Sequence, residues 1–597
     1  MNQLFKLLLV FAILAGNGLV LADERPNILL IMTDDQGNNL GYRGNPHLQT
    51  PNIDTLAAES VRFTNFHQEN KCTNTRAALL TGKYSHKTGA WRTSKGRSMM
   101  HPENITLAEA LRDAGYRTGH FGKWHLGEEW PYRPQDQGFD KTVHHKTGGV
   151  SQISDYWGND YFDDTYYDGD MPTPYKGYVT NVFFGEAMEF MRRESDKPFF
   201  AYLALNVTHL PLNVDKKYSE PYVVKGLPSG VAQYYGIIDN LDENFGDLAA
   251  FLKAEGLDEN TIVIFTTDDG AGAKAFINKG DDDHVIEGWN MGLRGGKGSR
   301  YEGGHRVFFN MKIPGSDLSH DNDTLVSVMD VFPTLLELAG ARTESDIDGR
   351  SFATWVEKPL APEGDERPIL INYFNPKDMH SRKDASVIWK NWRLTNAKEL
   401  YDIDRDMAQR HDVATEHPEL VKKLNGFYDN WDSEARPYLA KIARFQLGHP
   451  DHPVIEMTTQ DSYTVKQCNA FNQGHVVALA SCLAPHKVTF LRGGRYRFTL
   501  RRYPAYTGLP FGAKTKKYRS ERLGTDFEPV SAALKVAGQE VKGPVDPEDQ
   551  AVSFELDIKA GDTDVQTWVH GTTGGEDRTI PAYFLEVAWL DQHAPDS

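Results

Sequence analysis

Two pairs of adjacent aspartates in this 597-residue chain each close a run of apolar residues: Asp34-Asp35 follows NILLIMT, and Asp268-Asp269 follows TIVIFTT. One such pair at a strand end is ordinarily a solvated turn. Two are harder to dismiss, because carboxylates gathered at one sheet end repel and raise one another's pKa unless a cation lies between them. All-oxygen ligands select a hard ion, Ca²⁺ or Mg²⁺, over zinc. A single thiol offers a second chemistry. Cys72, in KCTNTRAALLTG, has Lys71 before it and Arg76 four residues after it. A free cysteine is often only a small buried hydrophobe. Here Ala77 to Leu80 suit a helix and Gly82 its end, so Cys72 falls at a helix N-terminus, where dipole and free amides favour anions.

Lys123 and His125 in GKWHLG are two apart and share a side of an extended segment. A surface loop with an incidental histidine is the plainer account of the same residues. His209 in NVTHLP is, by itself, an ordinary histidine at a strand end, and Lys297 in GGKGSRYEGG a lysine in a glycine-rich loop. Asp281-Asp282-Asp283-His284 reads as a solvated loop. The aromatic residues at 156, 157, 161, 166 and 167 suit either sugar stacking or loop packing.

These residues need elements to bring them together. Asn27 to Thr33 reads as a strand buried on both faces of a parallel sheet. Residues 50 to 60 suit a helix, Val61 to Phe66 a strand leading into Cys72, and Thr106 to Glu109 a capping box whose helix closes at Gly115. Tyr116 to Phe121 is then a strand delivering GKWHLG, and Phe199 to Val207 one delivering His209. A helix around Tyr234 to Ala254 precedes TIVIFTT. This alternation predicts an α/β fold with a large mixed, mostly parallel sheet flanked by helices and ligand groups at the carboxyl ends of its strands. Asp155 to Tyr178 reads as a loop excursion over the sheet edge. PILINYF, SVIWKNWRL and KELYDI, with a helix after Pro418, form a small antiparallel subdomain. Tyr496 to Leu500, Val552 to Leu556 and Tyr583 to Val587 alternate as strands of a C-terminal β-sandwich. The expected division is 1–22 signal peptide, 23–365 α/β domain, 366–436 antiparallel sheet plus helix, 437–453 linker and 454–597 accessory sandwich.

A net charge of -18 argues against a broad nucleic-acid surface, so an anionic substrate needs a local basic pocket. Lys6, the apolar run from Leu7 to Ala15 and the small-residue site Val20-Leu21-Ala22 read as a secretory signal, too short for a membrane span. The mature chain is therefore expected in the periplasm or outside the cell, starting near Asp23. Three cysteines exclude a disulfide-dense scaffold. Cys468 and Cys482 can pair, leaving Cys72 as the odd thiol. Asn104 and Asn206 head N-x-T triplets, which matter only in a glycosylating host.

CTNTRAALLTG resembles the signature of the type I sulfatases, members of the alkaline phosphatase superfamily. That resemblance implies an alkaline phosphatase-like fold and conversion of Cys72 to formylglycine by a maturation enzyme, with Arg76 as its electrostatic partner. Asn74 departs from the Pro or Ala usual at its position. Asp34, Asp35, Asp268 and Asp269 match the family's metal ligands, joined by the Cys72 side chain, and calcium is the implied ion. GKWH matches a sulfate-binding lysine, Lys123, and a histidine, His125, that contacts the formylglycine hydroxyls. His209 matches the histidine beside the leaving oxygen, and Lys297 the last sulfate-binding lysine. The resemblance runs in order from Pro26 to Arg306. It implies an exported sulfatase acting on sulfated carbohydrate. A phosphonate monoester or phosphodiester hydrolase on the same scaffold, and a catalytically silent glycan-binding protein, are the alternatives.

Overall fold

The computed structural model describes residues 25–591 other than 193–195, 273–277, 359–366, 380, 467, 469 and 517–522. The expected signal segment 1–22 lies outside the described residues. At the centre is the strand Asn27–Thr33, whose side chains alternate between two cores: Ile28, Leu30 and Met32 enter one, Leu29 and Ile31 the other. Burial on both faces is why this strand is a continuous apolar run. It pairs in parallel with Phe199–Ala204 on one side and Thr261–Thr267 on the other. Arg117–Lys123 and Lys141–His145 continue the parallel array outward from Phe199–Ala204. Arg306–Lys312 runs antiparallel beyond Thr261–Thr267 and joins it to Val61–His67, so the sheet is mixed.

Helices cover both faces. Cys72–Thr81, Leu107–Asp113 and Val331–Leu338 pack their apolar residues into the first core. Val179–Arg192 and the long Ser229–Ala254 pack into the second. The Thr106 capping box is formed, its hydroxyl accepting from Glu109 N and its own N–H donating to the Glu109 carboxylate. The 155–178 excursion contains a hairpin, Thr165–Asp168 with Met171–Pro174, that adds two short strands to the sheet edge beyond Lys141–His145. Its prolines and exposed positions left no period to read. Tyr161 and Tyr166 are buried, and Tyr156 stacks on Tyr506 at 4.4 Å, so three of the aromatics noted there are structural.

Four antiparallel strands between Ile369 and Asp402 form a separate small sheet, and Pro418–Leu439 packs Leu424, Tyr428, Trp431 and Ala435 into the first core. In the segment 437–453, Phe445–Leu447 pairs with His486–Phe490 as an edge strand of the C-terminal sheets. Those two sheets, of six and four strands, share one core that includes Leu534, Val565, Phe498 and Val587. Cys468 and Cys482 are disulfide-bonded. Asn104 and Asn206 are buried and hydrogen-bonded within the protein. No described helix is long and apolar enough to cross a membrane.

Candidate active site

Register decides the first contact of the site. Thr33 lies opposite Thr267 in a parallel pair, so the two aspartate pairs leave the sheet side by side at its carboxyl end. Asp35 turns at once into the left-handed region, φ +63°, a conformation that aspartate tolerates better than most residues. Its N–H points at Asp268 Oδ1, 3.3 Å away. Cys72 arrives from the next element, as the first residue of the helix Cys72–Thr81, whose C-cap Gly82 adopts φ +67°. The thiol donates to Asp34 Oδ1 at 3.4 Å and lies 3.8 Å from Asp269 Oδ2.

Three cations hold this acidic centre. Lys123 Nζ bonds Asp34 Oδ2 at 2.6 Å with both side chains fully buried. Arg76 reaches Asp268 Oδ2 through Nε at 3.1 Å and Nη2 at 2.9 Å, and its Nη1 donates to the Lys123 carbonyl at 3.0 Å. Lys297 Nζ bonds Asp35 Oδ1, sits 3.7 Å from Asp269 Oδ2 and lies 3.1 Å from Cys72 Sγ. Burial works against the charged forms of Asp34, Asp268 and Asp269, and the cations offset it unevenly. Against that burial, Lys123 and the other nearby cations hold Asp34 well below the usual range. Burial and the Asp34 charge push Asp268 up to about 6 despite Arg76. Burial, with the Asp35 and Asp268 charges, raises Asp269 well above its ordinary value despite Lys297. Burial, with Asp34 beside it, also raises the Cys72 thiol well above its ordinary value. Asp269 Oδ1 is buried with no hydrogen-bond partner among the described residues. Asp34, Asp35, Cys72 and Asp268 each offer a ligand atom within 4.8 Å of the others. A hard cation fits this orphaned, carboxylate-rich donor set.

His125 and His209 line the same cleft as Cys72 and Lys297. Thr93 O accepts from His125 Nε2 at 3.0 Å, which leaves Nδ1 buried and unpartnered. His209 Nδ1 donates to Leu210 O at 2.7 Å. Burial, reinforced by Lys123, keeps His125 neutral, with its pKa well below the ordinary value. Cys72, Arg76, Lys123, His125, His209, Lys297 and the two aspartate pairs thus meet at one sheet end, whereas His284 lies elsewhere, bonded to Asp282 and the Ala408 carbonyl.

Several contributors carried no readable signal. A Cβ on Gly148 would stand 2.4 Å from His125 Cε1, and one on Gly149 would stand 2.9 Å from His209 Nδ1, so this glycine doublet seats both rings. The doublet itself was visible in HKTGGV, but its ring partners were not. Asn74 is buried and donates to Ser85 Oγ and Trp91 O, both at 3.0 Å, bracing the segment that ends at Thr93. The cleft, of about 690 Å³, is completed by Tyr373 from the small sheet and by Gln460, Phe471 and Asn472 from the C-terminal region. A second buried cluster, His67, Glu302 and His305, has its acid matched by Arg306 at 3.0 Å and Arg393 at 2.8 Å, and serves as structural wiring.

Residues 26–341 match the family model described as Sulfatase. N-acetylgalactosamine-6-sulfatase of Canis lupus familiaris is 33% identical over 441 residues, covering 69% of this chain and 80% of that protein. The ulvan-active sulfatase of Formosa agariphila is 30% identical over 380 residues, covering 58% of this chain and 66% of that protein. Among solved structures, Ps i-CgsB in complex with k-i-k-neocarrahexaose superposes with a TM-score of 0.61 at 26% identity, over 68% of this chain and 93% of that one.

Proposed function

This chain belongs to the sulfatase family of sulfuric ester hydrolases, and from that premise we propose that it removes sulfate from a sulfated carbohydrate. The substrate class rests on relatives and a neighbour whose names join sulfatase or sugar binding to N-acetylgalactosamine, ulvan and a neocarrahexaose. The uncharged polar side chains of the cleft, Thr93, Ser94, Gln152, Gln460 and Asn472, suit a hydroxylated ring.

In this reading Cys72 is the precursor of formylglycine, made by a maturation enzyme, and Asp34, Asp35, Asp268 and Asp269 with the modified side chain hold one Ca²⁺. The observation that carries it is the convergence of four carboxylates on a thiol contacted by Lys297. When formed, the aldehyde hydrate supplies a nucleophilic hydroxyl and the means of its own regeneration, and the ion polarises it. The rest is work for this chain's side chains. Lys123 and Lys297 neutralise sulfate oxygens against the pull of their aspartates. Arg76 fixes the Asp268 carboxylate and adds positive charge. His209, in its imidazolium form with Nδ1–H held by the Leu210 carbonyl, gives its Nε2 proton to the departing alcohol, aided by Lys297. His125 accepts a proton at its unpartnered Nδ1. Lys6 to Ala22 support export to the periplasm or the extracellular space.

Mass spectrometry of the tryptic peptide Cys72 to Arg76, from protein made with a maturation enzyme, tests the nucleophile. An aldehyde in place of the thiol, with an aryl sulfate hydrolysed faster than an aryl monoester of phenylphosphonate, is the expected result. Unmodified cysteine from a competent host would return the chain to the glycan-binding alternative.

A further inference from the structure

Three lysines line the active-site cleft or its floor, and they are not equivalent. Lys123 is bound to Asp34, and Lys297 to Asp35 with Asp269 close by. Lys71, the residue before the nucleophile position, lines the cleft with no carboxylate within ion-pair distance of its Nζ among the described residues. Its one described partner is an aromatic face: Nζ stands 5.6 Å from the centre of the Tyr373 ring. The Arg92 guanidinium lies 4.2 Å from the centre of the same ring, adding positive charge there. Among the described residues no aspartate or glutamate lines the cleft wall, and the acids beneath it are paired with Arg76, Lys123 and Lys297. In a chain of net charge -18, an ammonium with no acid opposite it on the cleft wall is a local positive point that an anion can meet.

We propose that Lys71, on Tyr373, forms a subsite for a second anionic group of the substrate, a sulfate or carboxylate carried beside the scissile ester. This rests on the sulfated-carbohydrate reading above and narrows it to polyanionic glycans. The chemistry follows from the partners. The scissile sulfate is met by Lys123 and Lys297, which already answer aspartates. Lys71 answers none, so an incoming anion gains an ion pair without breaking one. Tyr373 holds the ammonium in the cleft through its ring face while leaving its N–H donors free for oxygen. Gln460 and Asn472, from the C-terminal region, border the same space with neutral amides that can bond ring hydroxyls.

The test is calorimetric titration of full-length protein carrying Cys72→Ala, which binds without turnover. The probes are N-acetylgalactosamine 6-sulfate and N-acetylgalactosamine 4,6-disulfate, neither of which has a carboxylate. With Lys71 present, the second sulfate is expected to tighten binding about tenfold, as one charge-assisted contact would. In Lys71→Gln that gain disappears and the salt dependence of binding weakens; in Lys71→Arg the gain survives. An equal gain in Lys71→Gln, or none with Lys71 intact, overturns the subsite. Sulfate release from an aryl sulfate by matured wild-type protein reads the parent proposal separately, so either can fail alone.

Discussion

Lys123 Nζ stands 2.6 Å from Asp34 Oδ2, and neither side chain has any exposed surface. The lysine ends one parallel strand and the aspartate follows another, with Phe199–Ala204 between them. The pair thus ties two separated strand ends across the floor of the site.

Replacing Lys123 by Met is expected to cost about 3–5 kcal/mol, because it leaves a buried carboxylate beside three others without its nearest counter-charge. Urea unfolding of the two proteins measures it. A change below about 1 kcal/mol would mean that water reaches Asp34 and the pair is not the site's anchor.

Removing divalent metal should destabilise the fold. At free calcium one hundredfold above its Kd, binding to the native site adds about 2.7 kcal/mol. Melting curves in chelator, Ca²⁺ and Mg²⁺ read this directly, and Asp269→Asn should shrink the calcium shift by removing the charge of the carboxylate whose Oδ1 has no partner among the described residues. Identical curves in all three conditions would leave the four carboxylates to their lysines and arginine alone.

Gly148→Ala should lower kcat by about a hundredfold, the scale of one misplaced general acid-base group, while far-ultraviolet circular dichroism stays unchanged. The added Cβ has no room beside the His125 ring at 2.4 Å. Wild-type kcat in this variant would show that the ring can move without penalty.

Acid should weaken the fold through its buried neutral histidines. Burial lowers His486 to about 4, with Thr458 O accepting from its Nε2 at 2.8 Å. The unfolded chain then binds the extra proton between pH 6.5 and 4, so this contribution is full above 6.5 and is lost as pH falls toward 4. His486→Gln should reduce the stability difference between pH 7 and pH 5 by about 2 kcal/mol. An unchanged difference would mean that His486 keeps its ordinary affinity for protons.

Opening the Cys468–Cys482 bond frees a loop of sequence separation 14 that carries Phe471 and Asn472 to the cleft. Cys468→Ser with Cys482→Ser should cost about 3 kcal/mol by loop entropy and raise KM for a glycan more than for an aryl sulfate. Equal KM changes for both would separate this loop from sugar binding.

Much of the site was legible because its strongest signals are local. NILLIMT and TIVIFTT announce strands buried on both faces, and the aspartate pairs end them, so strand, burial and chemistry lie within ten residues of sequence. Cys72 and Arg76 share one helix, where spacing alone sets their relation. The resemblance added roles to Lys123, His125, His209 and Lys297 that their own surroundings in the chain did not carry.

What the sequence determined by itself was therefore the kind of fold, the strand ends that bear chemistry and the residue types gathered there, since periodicity and burial are properties of short segments. Only the tertiary structure decided the pairing of Lys123 with Asp34, the seat of His125 against Thr93 and Gly148, and the cleft wall drawn from Tyr373, Gln460 and Phe471. Those contacts depend on sheet order, strand register and the docking of distant layers. No local pattern encodes them, because each is set by packing between segments far apart in the chain.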